Sequence, residues 1–180
     1  MVADQATLDV QGTVEKDLTV MTGGLLEGTG IIDGNLVVQG MLGPGNSAGT
    51  LGVDGSIDID DDAMICVELG GLDAGLEYDT IDGMNSSTGQ LGGLLEVTFI
   101  DNFMASQSDE FFIMSGFTTL NGVFANTPNN QLVVGNQQFD VEYSSTFVRL
   151  HNFQTFKTPE SSSALMICVA GLLFSRRRRD

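Results

Sequence analysis

Between residues 8 and 150 the apolar residues occur in short alternating runs, each bounded by Gly, Asn or Asp. Alternation with a period of two is typical of β-strands, and no window of this region has the 3.6-residue period of an amphipathic helix. The 23 glycines of the 180-residue chain fit the many turns that such strands require. We therefore predict a mostly β domain. Its clearest runs are residues 18–20, 36–38, 57–59, 65–69, 94–100, 111–114, 139–143 and 147–150.

The first three runs recur at offsets of 18 and 21 residues. Each follows a similar turn, Lys16-Asp17, Gly34-Asn35 or Gly55-Ser56. A loose repeat of this length indicates one coil of a parallel β-solenoid, in which successive coils stack their inward side chains. The spacing alone also fits a β-sandwich, whose strands recur about every 8–12 residues, so the sandwich stays open as the alternative fold.

Aromatic residues become frequent after residue 90, where the predicted strands also lengthen. Large rings can seal the open end of a solenoid, whose last coil otherwise exposes unpaired strand edges. We expect these rings to lie in the core of a closing cap rather than to form a ligand platform. They are Phe99, Phe103, Phe111, Phe112, Phe117 and Phe124.

The charge of the chain excludes one class of partner. Residues 1–158 contain 22 Asp and Glu against Lys16, Arg149 and Lys157. Binding of nucleic acid needs Lys and Arg to displace counterions from phosphates, so we do not expect it here. The acidity is more typical of a well-solvated exterior.

Four aspartates form the most distinctive polar feature of the body. Alternation places Asp58 and Asp60 on one face of a strand and Ile59 on the other, and Asp61 and Asp62 follow directly. Carboxylates in a turn could hold calcium, whose ligands are hard oxygens. The spacing lacks the Gly and the final Glu of an EF-hand loop, so a solvated turn is the favoured interpretation, with calcium as the alternative.

No arrangement of residues points to catalysis. His151 is the only histidine and adjoins a predicted linker, without a Ser and Asp that would suggest a triad. Cys66 lies in a strand and Cys168 in the hydrophobic tail, so neither a disulfide nor a zinc site is expected. Pairs of carboxylates could in principle cleave a glycoside, but the body lacks the basic residues typical of enzymes that act on acidic sugars. We therefore do not expect an enzyme.

The C-terminal two dozen residues have three parts in a fixed order: a polar turn with Pro159, Glu160 and Ser161, an apolar run, and a basic cluster. The apolar run would span about 16 Å as a helix, less than the roughly 20 residues of a comfortable membrane span. Its lack of any polar face argues against an ordinary helix docked on the domain. The run is Ala164, Leu165, Met166, Ile167, Cys168, Val169, Ala170, Gly171, Leu172, Leu173 and Phe174, and the cluster is Arg176, Arg177, Arg178 and Arg179.

This order of a PES turn, a short hydrophobic helix and terminal arginines resembles the PEP-CTERM sorting domain of bacterial exported proteins. Pro159 and Glu160 match the first two residues of that motif, and Ser161 stands where the family has its second proline. The resemblance implies recognition by an exosortase, a membrane peptidase that cuts near the motif. The arginines would stay on the cytoplasmic side of the inner membrane, so that the body faces outward.

The body also resembles a known repeat region, on residues 43–51, which read GPGNSAGTL, and on residues 75–79, 89–97 and 122–125. These segments are similar to the end of autotransporter-type passenger domains and to repeat regions of PEP-CTERM proteins. The resemblance implies the last coils and cap of a right-handed parallel β-helix, with no reaction attached.

We therefore expect a β-solenoid domain at residues 1–150, a linker at 151–163, and a sorting helix with its arginines at 164–180. The resemblance implies an exported, structural or adhesive protein of the cell surface or extracellular matrix. A surface module that binds or cleaves polysaccharide is the alternative. Residues 1–10 show neither the basic nor the apolar region of a Sec signal peptide, so we expect that the solenoid and its signal begin upstream of Met1.

Overall fold

The computed structural model describes residues 1–156, which form three sheets. Sheet I consists of β1 (Thr7–Asp9), β4 (Leu25–Gly28), β7 (Met41–Pro44), β10 (Met64–Leu69) and β13 (Leu94–Phe99). Sheet II begins with β2 (Thr13–Val14), β5 (Ile31–Ile32), β8 (Thr50–Val53), β11 (Thr80–Gly83) and β14 (Phe111–Ser115). Sheet III consists of β3 (Leu18–Val20), β6 (Leu36–Val38), β9 (Ser56–Ile59), β12 (Thr88–Leu91) and β15 (Thr119–Gly122). Sheet II is completed by β16 (Gln131–Val134), β17 (Gln137–Tyr143) and β18 (Val148–Thr155).

The chain winds as a coil, because every third strand pairs in parallel with the strand one turn earlier. Leu18 lies beside Leu36, and Leu36 beside Ile57, so the predicted offsets of 18 and 21 residues are the lengths of two coils. The mostly β architecture with parallel, solenoid-like stacking is therefore confirmed. A sandwich of antiparallel strands is not the fold of residues 1–115, whose strands pair with one another in parallel.

The repeated turns before sheet III form a ladder of side-chain hydrogen bonds. Asp17 Oδ1 accepts a bond from the backbone N–H of Asn35 at 2.8 Å. One coil further, Asn35 Oδ1 accepts bonds from the Ser56 N–H at 3.1 Å and from the Ser56 hydroxyl at 2.8 Å. Because each short polar side chain satisfies a turn in the next coil, the ladder fixes the register of the stacked strands.

The core is the interior of the coil, filled by the inward residue of each alternating pair. Leu36 and Ile57, which stack on each other, are both 0% exposed. Burial of a Leu or Ile side chain contributes about 1.5–3 kcal/mol to the free energy of unfolding. Stacking of like residues in successive coils is therefore a main stabilising contribution.

The coils lengthen towards the C-terminus. The step from Gly89 to its neighbour Leu120 is 31 residues, compared with 18 between Leu18 and Leu36. Much of the added chain lies at the corner between sheets I and II, at residues 70–79 and 100–110. Only the loops grow, so the strands keep their parallel register throughout.

An antiparallel unit closes the C-terminal end. β18 pairs with β14, β17 with β18, and β16 with β17. Phe139 is 0% exposed, and its ring centroid lies 6.0 Å from that of Phe111 and 5.0 Å from that of Phe153. Phe117 and Phe124 are also buried, which confirms the predicted aromatic core at these positions.

Phe112 is a partial exception to the aromatic prediction. It is only half-buried and lies on the outer surface, with its ring centroid 5.3 Å from that of Phe147. Its position follows from the alternation of β14, which directs Phe111 and Ile113 inward.

β18 crosses the predicted domain boundary at residue 150 and continues to Thr155. Residues 151–155, predicted as the start of the linker, thus belong to the cap. The physical reason is Phe153, which is only 7% exposed and packs on Phe99 and Phe139. The remainder of the predicted linker, 157–163, and the sorting segment 164–180 lie outside the described residues.

Candidate functional site

The four predicted aspartates lie together on the outer surface at the end of β9. Asp58 is exposed and Ile59 is 2% exposed, as alternation predicts. Asp60, Asp61 and Asp62 form the turn that leads to β10. They line a groove of about 480 Å³ together with Thr22, Gln39, Ile59, Gln90 and Leu91.

The groove lies along a row of outward side chains on sheet III. The register places Asp58 beside Gln90, and Gln90 beside Asn121. Stacked strands are about 4.8 Å apart, so three carboxylate and amide groups follow one another at that spacing. Such groups can bond the hydroxyls of an extended polar ligand.

The geometry gives calcium no particular support. Among residues 1–156, no group of three or more His, Cys, Asp or Glu side chains could hold a metal ion. The aspartates that the sequence brings together are spread over a strand and a turn, and three of them are exposed.

The most strongly perturbed carboxyl group is one that sequence reasoning missed. Asp79 is only 2% exposed, and its two oxygens accept bonds from the backbone N–H groups of Gly49 and Glu68, each at 2.8 Å. Burial raises the pKa of Asp79 from 3.8 to about 7, a shift that the two N–H groups oppose and the charge of Glu68 reinforces. The carboxyl group thus joins the loop after β7 to β10. No local sequence pattern marks it, since its partners lie 30 and 11 residues away.

Cys66 lies on the outer side of β10 as a free, half-buried thiol. Burial raises its pKa, and the nearby carboxylates of Glu96 and Asp79 raise it further. Because the thiolate is the reactive form, this environment makes the sulfur a poor nucleophile. Cys168 lies outside the described residues.

The cap contains the histidine and a clustered arginine. His151 lies on β18 beside Asp140 of β17 and is half-buried, rather than in a linker. Arg149 bonds to Glu110 at 2.8 Å and to Glu142. Its guanidinium carbon lies 5.5 Å from the centroid of the Phe112 ring and 6.0 Å from that of Phe147.

Comparison with known proteins adds no relative. No family model matches this chain, and no curated protein matches it. Function therefore has to be argued from the residues and geometry of the chain itself.

Within residues 1–156 no helix is long and apolar enough to cross a membrane. The predicted sorting residues Pro159, Glu160 and Arg176 to Arg179, and the predicted membrane segment 164–174, lie outside the described residues. The described surface thus offers a polar row on sheet III, suited to binding, and a half-buried imidazole beside Asp140 in the cap.

Proposed function

We propose that the chain is an exported structural or adhesive protein of the cell surface or extracellular matrix, carried there by a C-terminal sorting tail. The observation that carries this proposal is the order of Pro159-Glu160, an apolar run without polar residues, and four arginines. An apolar run flanked by arginines inserts with its basic end on the cytoplasmic side. The proposed partner is an exosortase-type membrane peptidase.

The architecture of the body supports this role. Stacked coils in register form a rod in which each coil contacts mainly its neighbours, and such rods serve as spacers and scaffolds. We include in the proposal that the coil is a right-handed β-helix. The exterior is strongly acidic, since residues 1–156 contain 22 Asp and Glu and only Lys16 and Arg149 as bases, and a high net charge keeps such a rod soluble.

Processing in cells tests the proposal. The full chain is expressed behind a Sec signal peptide in a bacterium that has an exosortase and in a strain from which the peptidase has been deleted. We expect a shortened product, without Arg176 to Arg179, at the surface of the first strain and a full-length membrane-bound form in the second. Fractionation and intact mass measure both forms.

Two variants make this test specific. Joint replacement of Pro159→Ala and Glu160→Ala should leave the chain unprocessed, whereas Ser162→Ala with Ser163→Ala should not. Full-length chain that stays in the soluble fraction of both strains would overturn the proposal.

The polar row on sheet III favours a second candidate function, the binding or cleavage of a surface polysaccharide. Asp58 and Gln90 lie side by side in the groove and offer acceptors and donors for sugar hydroxyls. Binding to a glycan panel that is lost in Asp58→Ala and Gln90→Ala, but kept in Asp101→Ala at an exposed loop position, would support it. Release of shortened sugars would extend it to cleavage, and no binding to any glycan would remove it.

A further inference from the structure

The three sheets end differently at the C-terminal end of the coil. Sheet II continues into the cap, because β18 pairs with β14. Beyond β15 of sheet III, the N–H of Leu120 donates to the carbonyl of Ser145 at 2.7 Å. Sheet I ends at β13, and no further strand pairs with it within residues 1–156.

A strand begins above β13 but is abandoned after two residues. The N–H of Ala125 donates to the carbonyl of Gly93 at 2.7 Å. Asn126 then uses its side chain: its Oδ1 accepts from the Leu95 N–H at 2.9 Å, and its Nδ2 donates to the Leu95 carbonyl at 2.8 Å. The next turn contains Pro128, which has no N–H, and a 3₁₀ helix directs the chain away.

The second half of β13 consequently has a free edge. Leu94 donates its N–H to Ala63 and Ile100 donates to Leu69, so the even-numbered residues of β13 bond to the preceding coil. In a parallel ladder the odd-numbered residues face the other way. Leu95 is satisfied by Asn126, but the N–H and C=O of Val97 find no hydrogen-bond partner among residues 1–156.

This free edge borders a groove of about 390 Å³ between β13 and β16. Its walls are apolar and partly open to solvent: Leu94 is 39% exposed and Val133 is 59% exposed. Leu94 also ends an outward apolar row on sheet I, formed in register by Leu25, Met41, Met64 and Leu94. The carboxylate of Glu96 is exposed at the same groove.

We propose that the edge of β13 at Val97 binds an extended, cationic peptide segment of a partner protein as an added parallel strand. The segment pairs its backbone with the free N–H and C=O of Val97. Its apolar side chains contact Leu94 and Val133, and a Lys or Arg lies beside Glu96. Strand addition of this kind derives affinity from main-chain bonds and specificity from alternate side chains.

Charge selects the occupant of the groove. Two copies of this chain that joined at their β13 edges would bring Glu96 and the acidic surfaces around it together, and like charges at an interface oppose association. A sugar platform would need exposed aromatic rings, and the groove is lined by aliphatic and polar side chains. A basic, apolar strand complements both the walls and the charge. This inference concerns the body and is independent of the proposed sorting tail.

Peptide binding tests the proposal directly. The full chain, held in a mild detergent, is titrated into a fluorescently labelled short peptide of alternating lysine and valine, with blocked ends, and anisotropy is recorded. A matched peptide with N-methyl groups on alternate residues keeps the charge and side chains but cannot pair as a strand. We expect saturable binding of the first peptide and binding at least about tenfold weaker for the second, a difference of roughly 1.4 kcal/mol. Equal affinity for the two peptides, or no binding, would overturn the proposal.

A pair of variants separates the groove from the general acidity of the surface. Glu96→Lys should weaken binding of the lysine–valine peptide about tenfold, whereas Asp58→Lys, an equal charge change on sheet III, should alter it less than about twofold. Thermal unfolding by circular dichroism checks that both variants fold. Equal weakening by both variants would show non-specific attraction, and self-association of the chain that competes with the peptide would show that the groove binds a second copy; either result overturns the assignment.

Discussion

The side-chain amide of Asn126 bonds to both backbone polar groups of Leu95, donating to its carbonyl at 2.8 Å and accepting from its N–H at 2.9 Å. An amide side chain has the same donor and acceptor as a peptide unit. Asn126 thus replaces one peptide of the missing strand above β13. The coil is closed here by a side chain rather than by another strand.

We expect Asn126→Ala to lower the free energy of unfolding by about 2 kcal/mol, since two polar groups of Leu95 lose their partner. Asn126→Asp should also destabilise the fold, because a carboxylate cannot donate to the Leu95 carbonyl. Urea unfolding followed by circular dichroism measures both changes. Asn121→Ala, at an exposed position of β15, is the matched control and should change stability by less than about 0.5 kcal/mol.

Asp79 should make stability depend on pH. Its pKa is raised from 3.8 to about 7 in the folded protein, so between these values the folded chain keeps a proton that the unfolded chain has lost. The free energy of unfolding should therefore fall as pH rises from about 4 to about 7, by up to about 4 kcal/mol, and the contribution is fully present below pH 4.

The control for this pH dependence is Asp79→Asn, which cannot titrate. Its absolute stability should also fall, because one amide nitrogen would face a backbone N–H, so the slope with pH is the informative quantity. Urea unfolding at a series of pH values should show a flatter profile for Asp79→Asn than for the wild type and for exposed Asp58→Asn. Parallel profiles for all three proteins would contradict the role of Asp79.

The repetitive part of the fold was predictable from sequence because it depends on local patterns. Leu18, Leu36 and Ile57 recur at offsets that the paired strands reproduce. The turn residues Asp17, Asn35 and Ser56 recur with them, and their side chains bond coil to coil. Alternation also predicted which face of β9 carries Asp58.

What the sequence did not reveal depends on contacts between distant residues. Asp79 is buried only because the loop at Gly49 and the strand at Glu68 meet there. The role of Asn126 depends on a strand that stops, and that of Phe153 on a ring cluster around Phe139. None of these side chains belongs to a repeating pattern, so periodicity could not identify them.

Arg149 should stabilise the cap through stacking as well as charge. Its guanidinium contacts the rings of Phe112 and Phe147 and pairs with Glu110 and Glu142. The two glutamates are largely exposed, so the ion pairs contribute little, whereas stacking on two rings contributes about 1–2 kcal/mol.

We therefore expect Arg149→Lys, which keeps the charge but loses the planar group, to lower the free energy of unfolding by about 1 kcal/mol, and Arg149→Ala by about 2 kcal/mol. Urea unfolding at low and high salt measures the charge part. A loss in Arg149→Lys that is absent at low salt would indicate that charge alone matters.

Phe153 tests whether the folded unit extends past residue 150. Its ring packs within 5.0 Å of the Phe139 centroid and 5.8 Å of the Phe99 centroid, and the residue is 7% exposed. Phe153→Ala in the full chain should lower the free energy of unfolding by about 3–4 kcal/mol, because it opens a cavity in the cap. Gln154→Ala, at the next and exposed position of β18, should change it by less than about 0.5 kcal/mol. If residues 151–155 acted as a linker, both variants would unfold at the same urea concentration as the wild type. A large loss confined to Phe153→Ala would instead show that β18 and its ring contacts are part of the cooperative fold.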